Sequence, residues 1–256
     1  MNSKEPLIFD IQRGSTVDGP GVRTTVFFKG CNLRCRWCHN PESQSPCAQL
    51  AFFKHKCVGC GLCREVCSSS SCVACGKCAD YCLGEARKLY GKRYSAEELF
   101  EIIRQDEGYY CATGGGVTFS GGECMLYPDF VLELGRLCKS AGINVAVDTA
   151  GCVPFSSFEK VLPVVDLFLY DVKCLGADLH EQFTGKRNEL ILENLDKLIE
   201  LGKKVRVRVP IVPYFNQGEE EEKIRRFLLE KGLEADFLVY HDMGESKKTA
   251  ILDAEK

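Results

Sequence analysis

Apolar positions along the chain fall into short continuous runs and longer amphipathic stretches, in alternation. Val22–Phe28 is proline-free, rich in β-branched and aromatic residues, and predicts a strand. From residue 91 onward the two patterns take turns. Ser95, with Glu98 three residues later, reads as a capping box that opens a helix. Val117–Phe119 predicts a strand, and Asp129–Ser140 a helix with Phe130, Val131, Leu134 and Leu137 at helical spacing. Ile143–Val147 is the next strand, Phe155–Leu162 a helix, Val164–Tyr170 a buried strand, and Leu190–Leu201 a helix with Leu192, Leu195 and Ile199 on one stripe. Lys204–Val209 alternates charge with valine, so one face of that strand meets solvent or a ligand. A charged helix over Glu219–Lys231 precedes a last strand, Asp236–Tyr240.

Strands separated by helices imply parallel βαβ units. A complete eight-unit barrel takes about 250 residues, and the roughly 210 left outside a cysteine-rich block suit about six units. The expected fold is α/β, a partial (β/α)6 barrel built from residues 1–46 and 91–256, with its active site at the carboxyl ends of the strands. Residues 47–90 form a small insert, poor in long apolar segments and carrying Ser68-Ser69-Ser70-Ser71. Such a block cannot build a conventional core and is expected to be held together by metal.

Composition sharpens this reading at one point, cysteine, which supplies 17 of 256 residues. Disulfide-dense chains are short and lack room for a core, whereas this chain has length and 45% hydrophobic content. Twelve of the cysteines lie between Cys31 and Cys82, many only two or three residues apart. Neighbours that close bridge one another badly but converge readily on a cluster. Charge is otherwise unremarkable in kind: 33 Lys+Arg against 36 Asp+Glu leaves -3, which excludes broad attraction to nucleic acid or an anionic membrane. No apolar run approaches the roughly 18 residues of a membrane span, and the opening residues lack a signal-peptide pattern. The expectation is a soluble cytoplasmic monomer.

Three sets of cysteines carry the chemistry. Cys31, Cys35 and Cys38, at x3 and x2 spacing just after the first strand, can hold three irons of a cubane and leave the fourth iron open to a small molecule. The other reading of this loop is a zinc knuckle completed by His39. In the insert, Cys57-x2-Cys60-x2-Cys63-x3-Cys67 and Cys72-x2-Cys75-x2-Cys78-x3-Cys82 are each the ferredoxin run, and together they imply two further [4Fe-4S] clusters. In two-cluster ferredoxins the fourth cysteine ligates the other cluster, which pairs Cys57, Cys60 and Cys63 with Cys82, and Cys72, Cys75 and Cys78 with Cys67. Ser68 and Leu83 stand where proline usually follows such runs, and a single-cluster or zinc-filled insert is the alternative. The six remaining cysteines, Cys47, Cys111, Cys124, Cys138, Cys152 and Cys174, read as small buried hydrophobes. Beyond the cysteines, Gly121, Gly122 and Glu123 follow a strand, where glycines let backbone approach a ligand and Glu123 offers it an acceptor. Polar residues also end two later strands, at Asp148-Thr149 and Asp171-Val172-Lys173.

The C-x3-C-x2-C loop, with Trp37 before its last cysteine, resembles the radical SAM superfamily. Ile8-Phe9-Asp10-Ile11-Gln12-Arg13 and Asp18-Gly19-Pro20-Gly21-Val22-Arg23-Thr24 look like the activating enzymes of glycyl radical enzymes, of the pyruvate formate-lyase activating enzyme type. The resemblance covers about residues 7 to 248 and includes the GGE motif, although Cys124 replaces the proline that usually follows it. It implies that S-adenosylmethionine chelates the open iron and is split by one electron into methionine and a 5′-deoxyadenosyl radical. That radical then removes a hydrogen atom from a glycine of a partner glycyl radical enzyme. It further implies cofactor contacts from Trp37, Gly121, Gly122, Glu123, Asp148, Lys173, Arg208 and His241, with Lys173 also counted among the catalytic residues beside the three cysteines. A small monovalent cation is implied at Asp148, Thr149, Leu169 and Asp171. The external reductant would be a flavodoxin or ferredoxin. Two other readings remain: a radical SAM enzyme acting on a small molecule, and a two-cluster ferredoxin carrier, which leaves the βα units without a use.

Overall fold

In the computed structural model, which describes residues 5–68, 71–240 and 243–252, the apolar runs become strands of one large sheet. The strands are β1 (Leu7–Ser15), β2 (Arg23–Phe28), β3 (Gln49–Phe52), β4 (Arg87–Tyr90), β5 (Lys92–Arg93), β6 (Gly116–Gly121), β7 (Asn144–Thr149), β8 (Leu167–Asp171), β9 (Val205–Ile211) and β10 (Glu234–Val239). The large sheet has the order β10-β9-β8-β7-β6-β2-β1-β5. From β2 to β10 its neighbours are parallel, so six strands bring their carboxyl ends to one side. In the insert α1 (Leu62–Glu65) and α2 (Lys77–Asp80) lie between β3 and β4; in the barrel helices make the crossovers, with α3 (Ala96–Ile103) and α4 (Glu107–Thr113) leading to β6. Then α5 (Pro128–Ser140), α6 (Phe155–Val161), α7 (Ala177–Thr184), α8 (Glu189–Glu200), α9 (Glu219–Glu230) and α10 (Met243–Ala250) follow in turn. The result is an α/β partial barrel.

Its core is a continuous apolar body in which Val26, Phe28 and Phe119 of the sheet meet Leu134 of α5, Phe158 of α6 and Leu195 of α8. The capping box forms as the sequence predicts, with Ser95 Oγ accepting from the Glu98 amide at 3.1 Å and the Glu98 carboxylate accepting from the Ser95 amide at 2.9 Å. The buried guanidinium of Arg23, at the start of β2, donates to Thr118 Oγ1 at 2.7 Å and to the Val117 carbonyl at 2.6 Å. It thereby satisfies polar groups at the amino ends of the strands.

Some elements were not predicted. β1 pairs antiparallel with β2 and buries Ile8 in the main core but Phe9 in a second, small core with Ala51, Tyr90 and Ala250. Two adjacent buried residues on opposite faces hide the alternation that marks a one-sided strand. The strand expected from Val164 begins only at Leu167, because the Val164 and Val165 amides still bond to the Val161 carbonyl at the end of α6. The Asp166 side chain, accepting from the Val145 amide at 2.8 Å, marks where pairing starts. In the cysteine-rich segment, β3 and β4 form a two-stranded antiparallel sheet, and α1 and α2 are single four-residue turns. Among the described residues no helix is long and apolar enough to cross a membrane.

Candidate active site

Residues at or just beyond the carboxyl ends of the six parallel strands line one cleft of about 210 Å³ that is open to solvent. After β2 the chain turns through Gly30 into the loop carrying Cys31, Cys35 and Cys38, whose side chains line the cleft. The loop is fixed by its backbone: the Arg34 amide donates to the Thr184 carbonyl at 2.7 Å and the Arg36 amide to the Phe183 carbonyl at 3.1 Å, both at the end of α7. Trp37 stacks on Phe215 with centroids 4.3 Å apart and lies 6.4 Å from Phe183, so it is a packing pillar as well as part of the wall. On the outer side, Lys247 of α10 bonds to the Asn40 side chain at 2.9 Å, the His39 carbonyl at 3.1 Å and Glu42 at 3.0 Å.

The three thiols share a wall without closing on a point, and among the described residues no three His, Cys, Asp or Glu side chains form a single-ion group. A cubane carries its irons at separate corners and asks for one thiolate at each, so this spread suits it better than a single tetrahedral ion. Burial pushes the Cys31 thiol up to about 12 and the Cys35 thiol up to about 11. A coordinated metal is the means by which such buried thiols become thiolates.

Gly121 and Gly122, ending β6, are forced to be glycine. Gly121 has φ +115, and a Cβ there would lie 2.3 Å from the Phe28 backbone; one at Gly122 would lie 2.3 Å from the Gly30 carbonyl. Close packing thus presses the glycine backbone against the cysteine loop, where both residues line the cleft. Glu123 departs from expectation. Its side chain is 0% exposed and turns behind the wall, accepting from the Met125 amide at 3.0 Å, the Ala150 amide at 2.9 Å and Thr149 Oγ1 at 2.8 Å. Burial raises its carboxyl to about 7 against these three donors. With its acceptors so engaged, Glu123 fastens the glycine loop to the end of β7 rather than presenting a carboxylate to an ammonium group. Cys124, the residue after Glu123, is fully buried with its sulfur facing the Phe119 and Asp148 carbonyls at 3.4 and 3.6 Å.

The remaining strand ends supply charge. Asp148 accepts from Ser120 Oγ at 2.7 Å and pairs with Arg208 at 3.2 Å; burial nonetheless pushes its carboxyl up. Asp148 in turn holds Arg208 above the usual arginine range. Lys173 pairs with Asp171 at 2.6 Å. Burial works against the Lys173 charge, yet Asp171 and Cys35 outweigh it and raise the ammonium above the ordinary lysine range. Thr149, Asp171 and Lys173 line the cleft, whereas Leu169 is 1% exposed within β8 and is not on its wall. Arg206, two residues earlier on β9 and so on the same face but nearer the strand's amino end, instead binds Asp236 at 2.6 to 2.7 Å. His241 lies outside the described residues. Asp18, not singled out from the sequence as a site residue, is buried, accepts from Ser15 at 2.6 Å and Thr25 at 2.8 Å, and approaches Arg208 at 3.8 Å. The Asp-Gly-Pro-Gly turn between two strands was the available signal. It lines a second opening that shares Ser120, Asp148 and Arg208 with the main cleft.

The insert gathers eight of its nine cysteines into two cavities. Cys57, Cys60, Cys63 and Cys82 line one, and Cys67, Cys72, Cys75 and Cys78 the other, with Cys63 on both walls. Of the other cysteines, Cys124, Cys138 and Cys174 are buried as expected, but Cys47 and Cys111 are exposed, since each sits on an outer loop or helix face.

A family model of the radical SAM superfamily matches residues 25–228. The chain is similar to the trans-4-hydroxy-L-proline dehydratase activating enzyme of Clostridioides difficile, at 40% identity over 96% of this chain and 88% of the relative. It is similar to the choline trimethylamine-lyase activating enzyme of Oleidesulfovibrio alaskensis at 39% identity, over 96% of this chain and 87% of the relative. Among solved structures, SuiB of Streptococcus suis bound to the precursor peptide SuiA shares the fold, with a TM-score of 0.55 and 15% identity over 88% of this chain and 40% of that one. With its parallel sheet, its cysteine loop and these relatives, the chain belongs to the radical SAM superfamily and, within it, to the glycyl radical enzyme activating enzymes.

Proposed function

We propose that this protein reductively cleaves S-adenosylmethionine and thereby takes a hydrogen atom from the α-carbon of a glycine in a partner glycyl radical enzyme. The observation that carries the reading is the meeting, in one cleft, of Cys31, Cys35 and Cys38 with the cations Lys173 and Arg208. When bound, a [4Fe-4S] cluster and S-adenosylmethionine supply the electron and the 5′-deoxyadenosyl radical. The protein's part is to hold, orient and seclude. Cys31, Cys35 and Cys38 are three ligands for four irons and leave one iron for the cofactor. Lys173 and Arg208, each already paired with an aspartate, offer their remaining donors to its carboxylate and ribose. The Gly121-Gly122 backbone, held by Glu123, forms the wall beside its amino group. Asp148, Thr149 and Asp171 suit a small monovalent cation, with Leu169 contributing at most a backbone carbonyl. Trp37 closes the floor against water together with Phe215.

The second opening beside Asp18 supports a protein substrate, because it lets a peptide loop reach Asp148 and Arg208 while the cofactor occupies the main cleft. In the insert, the two cysteine-lined cavities support two further [4Fe-4S] clusters, cross-ligated as Cys57, Cys60, Cys63 with Cys82 and Cys72, Cys75, Cys78 with Cys67. They would relay electrons from an external flavodoxin or ferredoxin. The reaction belongs in an oxygen-poor cytoplasm, with the protein acting as a monomer.

Anaerobic reconstitution of Cys35→Ala tests the reading. The variant is expected to lose reductive cleavage of S-adenosylmethionine to background while keeping the visible absorbance of the insert clusters. Cleavage retained at the parent rate would overturn it, and a glycyl radical signal in mixtures of the parent with a candidate partner enzyme completes the positive case.

A further inference from the structure

One side chain joins the insert's two cavities. Arg87, on β4, lies with Cys63 on both walls. The β3–β4 register sets it opposite Phe52, and its guanidinium sits over that ring at 4.9 Å. From there it faces the sulfur of Cys63 in one ligand set and of Cys78 in the other. Its Nε is buried and, among the described residues, has no acceptor. A buried donor left without a partner is destabilising. A donor held between two groups of thiols therefore fits acceptors that the polypeptide does not itself provide. Cluster sulfur is such an acceptor, and hydrogen bonds to sulfur are among the means by which proteins set a cluster's potential.

Resting on the two-cluster reading above, we infer that Arg87 is a positioning residue shared by both insert clusters, donating to sulfur on each and favouring the reduced form of each by its fixed charge. In the redox step each cluster gains one electron from an external one-electron carrier and later passes one toward the Cys31, Cys35 and Cys38 site. Net cluster charge falls by one on reduction. Arg87 stays protonated throughout, so no proton moves. Because the guanidinium stands between the two cavities, it also lessens the repulsion that an electron on one cluster exerts on the next. The insert then accepts two electrons over a narrow range of potential.

The test is a redox titration, followed by electron paramagnetic resonance, of the full-length reconstituted protein and its variants. Lys88→Gln, at an exposed neighbour on the same strand, controls for loss of one formal charge. In Arg87→Gln the ratio of reduced to oxidised insert cluster at a fixed potential is expected to fall about tenfold, which for one electron is about 59 mV. Lys88→Gln is expected to change it by less than about twofold, as a solvent-screened charge should. An Arg87→Gln ratio no different from that of Lys88→Gln overturns the proposal. If Arg87→Gln fails to hold insert iron, Arg87→Lys takes its place, keeping the charge but losing the planar fork of donors. A fall of about threefold or more then supports the role, and parent behaviour overturns it. The iron count keeps the two readings apart: about twelve per chain in the parent upholds the insert clusters, whereas about four removes them whatever Arg87 does.

Discussion

The barrel and the insert are built on opposite principles. Around β6 and β7 the chain buries Val117, Phe119, Val145 and Val147 completely, and α5, α6 and α8 add further buried apolar side chains. Across α1 and α2 the only buried side chain is that of Cys78, while Val58, Val73 and Leu83 stand 68%, 65% and 74% exposed. One region folds because water is expelled from hydrocarbon. The other has little hydrocarbon to hide, and on the two-cluster reading proposed above its order comes from ligands gathered around metal. The cleft of Cys31, Cys35 and Cys38 lies where the first principle governs, and the proposed electron relay lies where metal binding and folding would be the same event.

This contrast can be broken outright. Oxidative removal of iron with a chelator is expected to abolish amide-exchange protection across residues 57–82 and leave that of β6 and β7 close to its starting level. Protection that survives in the iron-free insert would show that the polypeptide alone holds it. A smaller effect sharpens the same contrast from the other side. Leu134→Ala should destabilise the barrel by about 3 kcal/mol in urea unfolding of the iron-free protein, whereas Val73→Ala should stay within about 0.5 kcal/mol. Equal losses would mean that the insert contributes to a common core after all.

The smallest effect concerns the polar corner that ties the barrel's edge to its first helices. Asp106 accepts from Arg13 at 2.5 and 2.9 Å and from Thr24 at 2.8 Å. Arg13 first, and Thr24 after it, hold the Asp106 carboxyl below its ordinary value of 3.8, against the opposing effect of burial. A carboxyl depressed on folding adds stability above its unfolded pKa and loses it as pH falls through the folded one. Asp106→Asn is therefore expected to lower stability by about 1 kcal/mol at pH 7, since Arg13 is half exposed and solvent weakens the pair. The gap between parent and variant should close below about pH 4. A gap constant down to pH 3 would rule out ionisation as its source.

Much of the barrel was legible because apolar period marks its strands and helices, and the start of α3 is marked a second time by its capping box. Ser95 and the α5 stripe from Phe130 to Leu137 are cases where local and global preferences agree. β1 was not legible, since Ile8 and Phe9 serve two cores at once. The short helix α7 went unseen because its apolar content is low, although its last carbonyls hold Arg34 and Arg36 of the cysteine loop. At the site, residue types could be read but directions could not. Glu123 is the clearest case: its motif was visible, while the Thr149 hydroxyl and the Ala150 amide that capture its carboxylate come from the end of another strand, which spacing does not encode. Arg87 carried no signal at all, being one basic residue among several, and its meaning arises only from the β3–β4 register.

The short helix α10 has a mechanical consequence. From its middle Lys247 grips the His39–Glu42 turn; beyond its end Ile251 bridges to Ala51 and the Leu252 amide donates to the Leu50 carbonyl at 2.8 Å, on β3 within the insert. About ten residues thus form a brace with one foot on the turn that follows the Cys31, Cys35 and Cys38 loop and the other on the cysteine-rich segment. On the two-cluster reading proposed above, loosening either foot would slacken the other, so oxidative damage to the insert would be transmitted to the cysteine loop of the cleft.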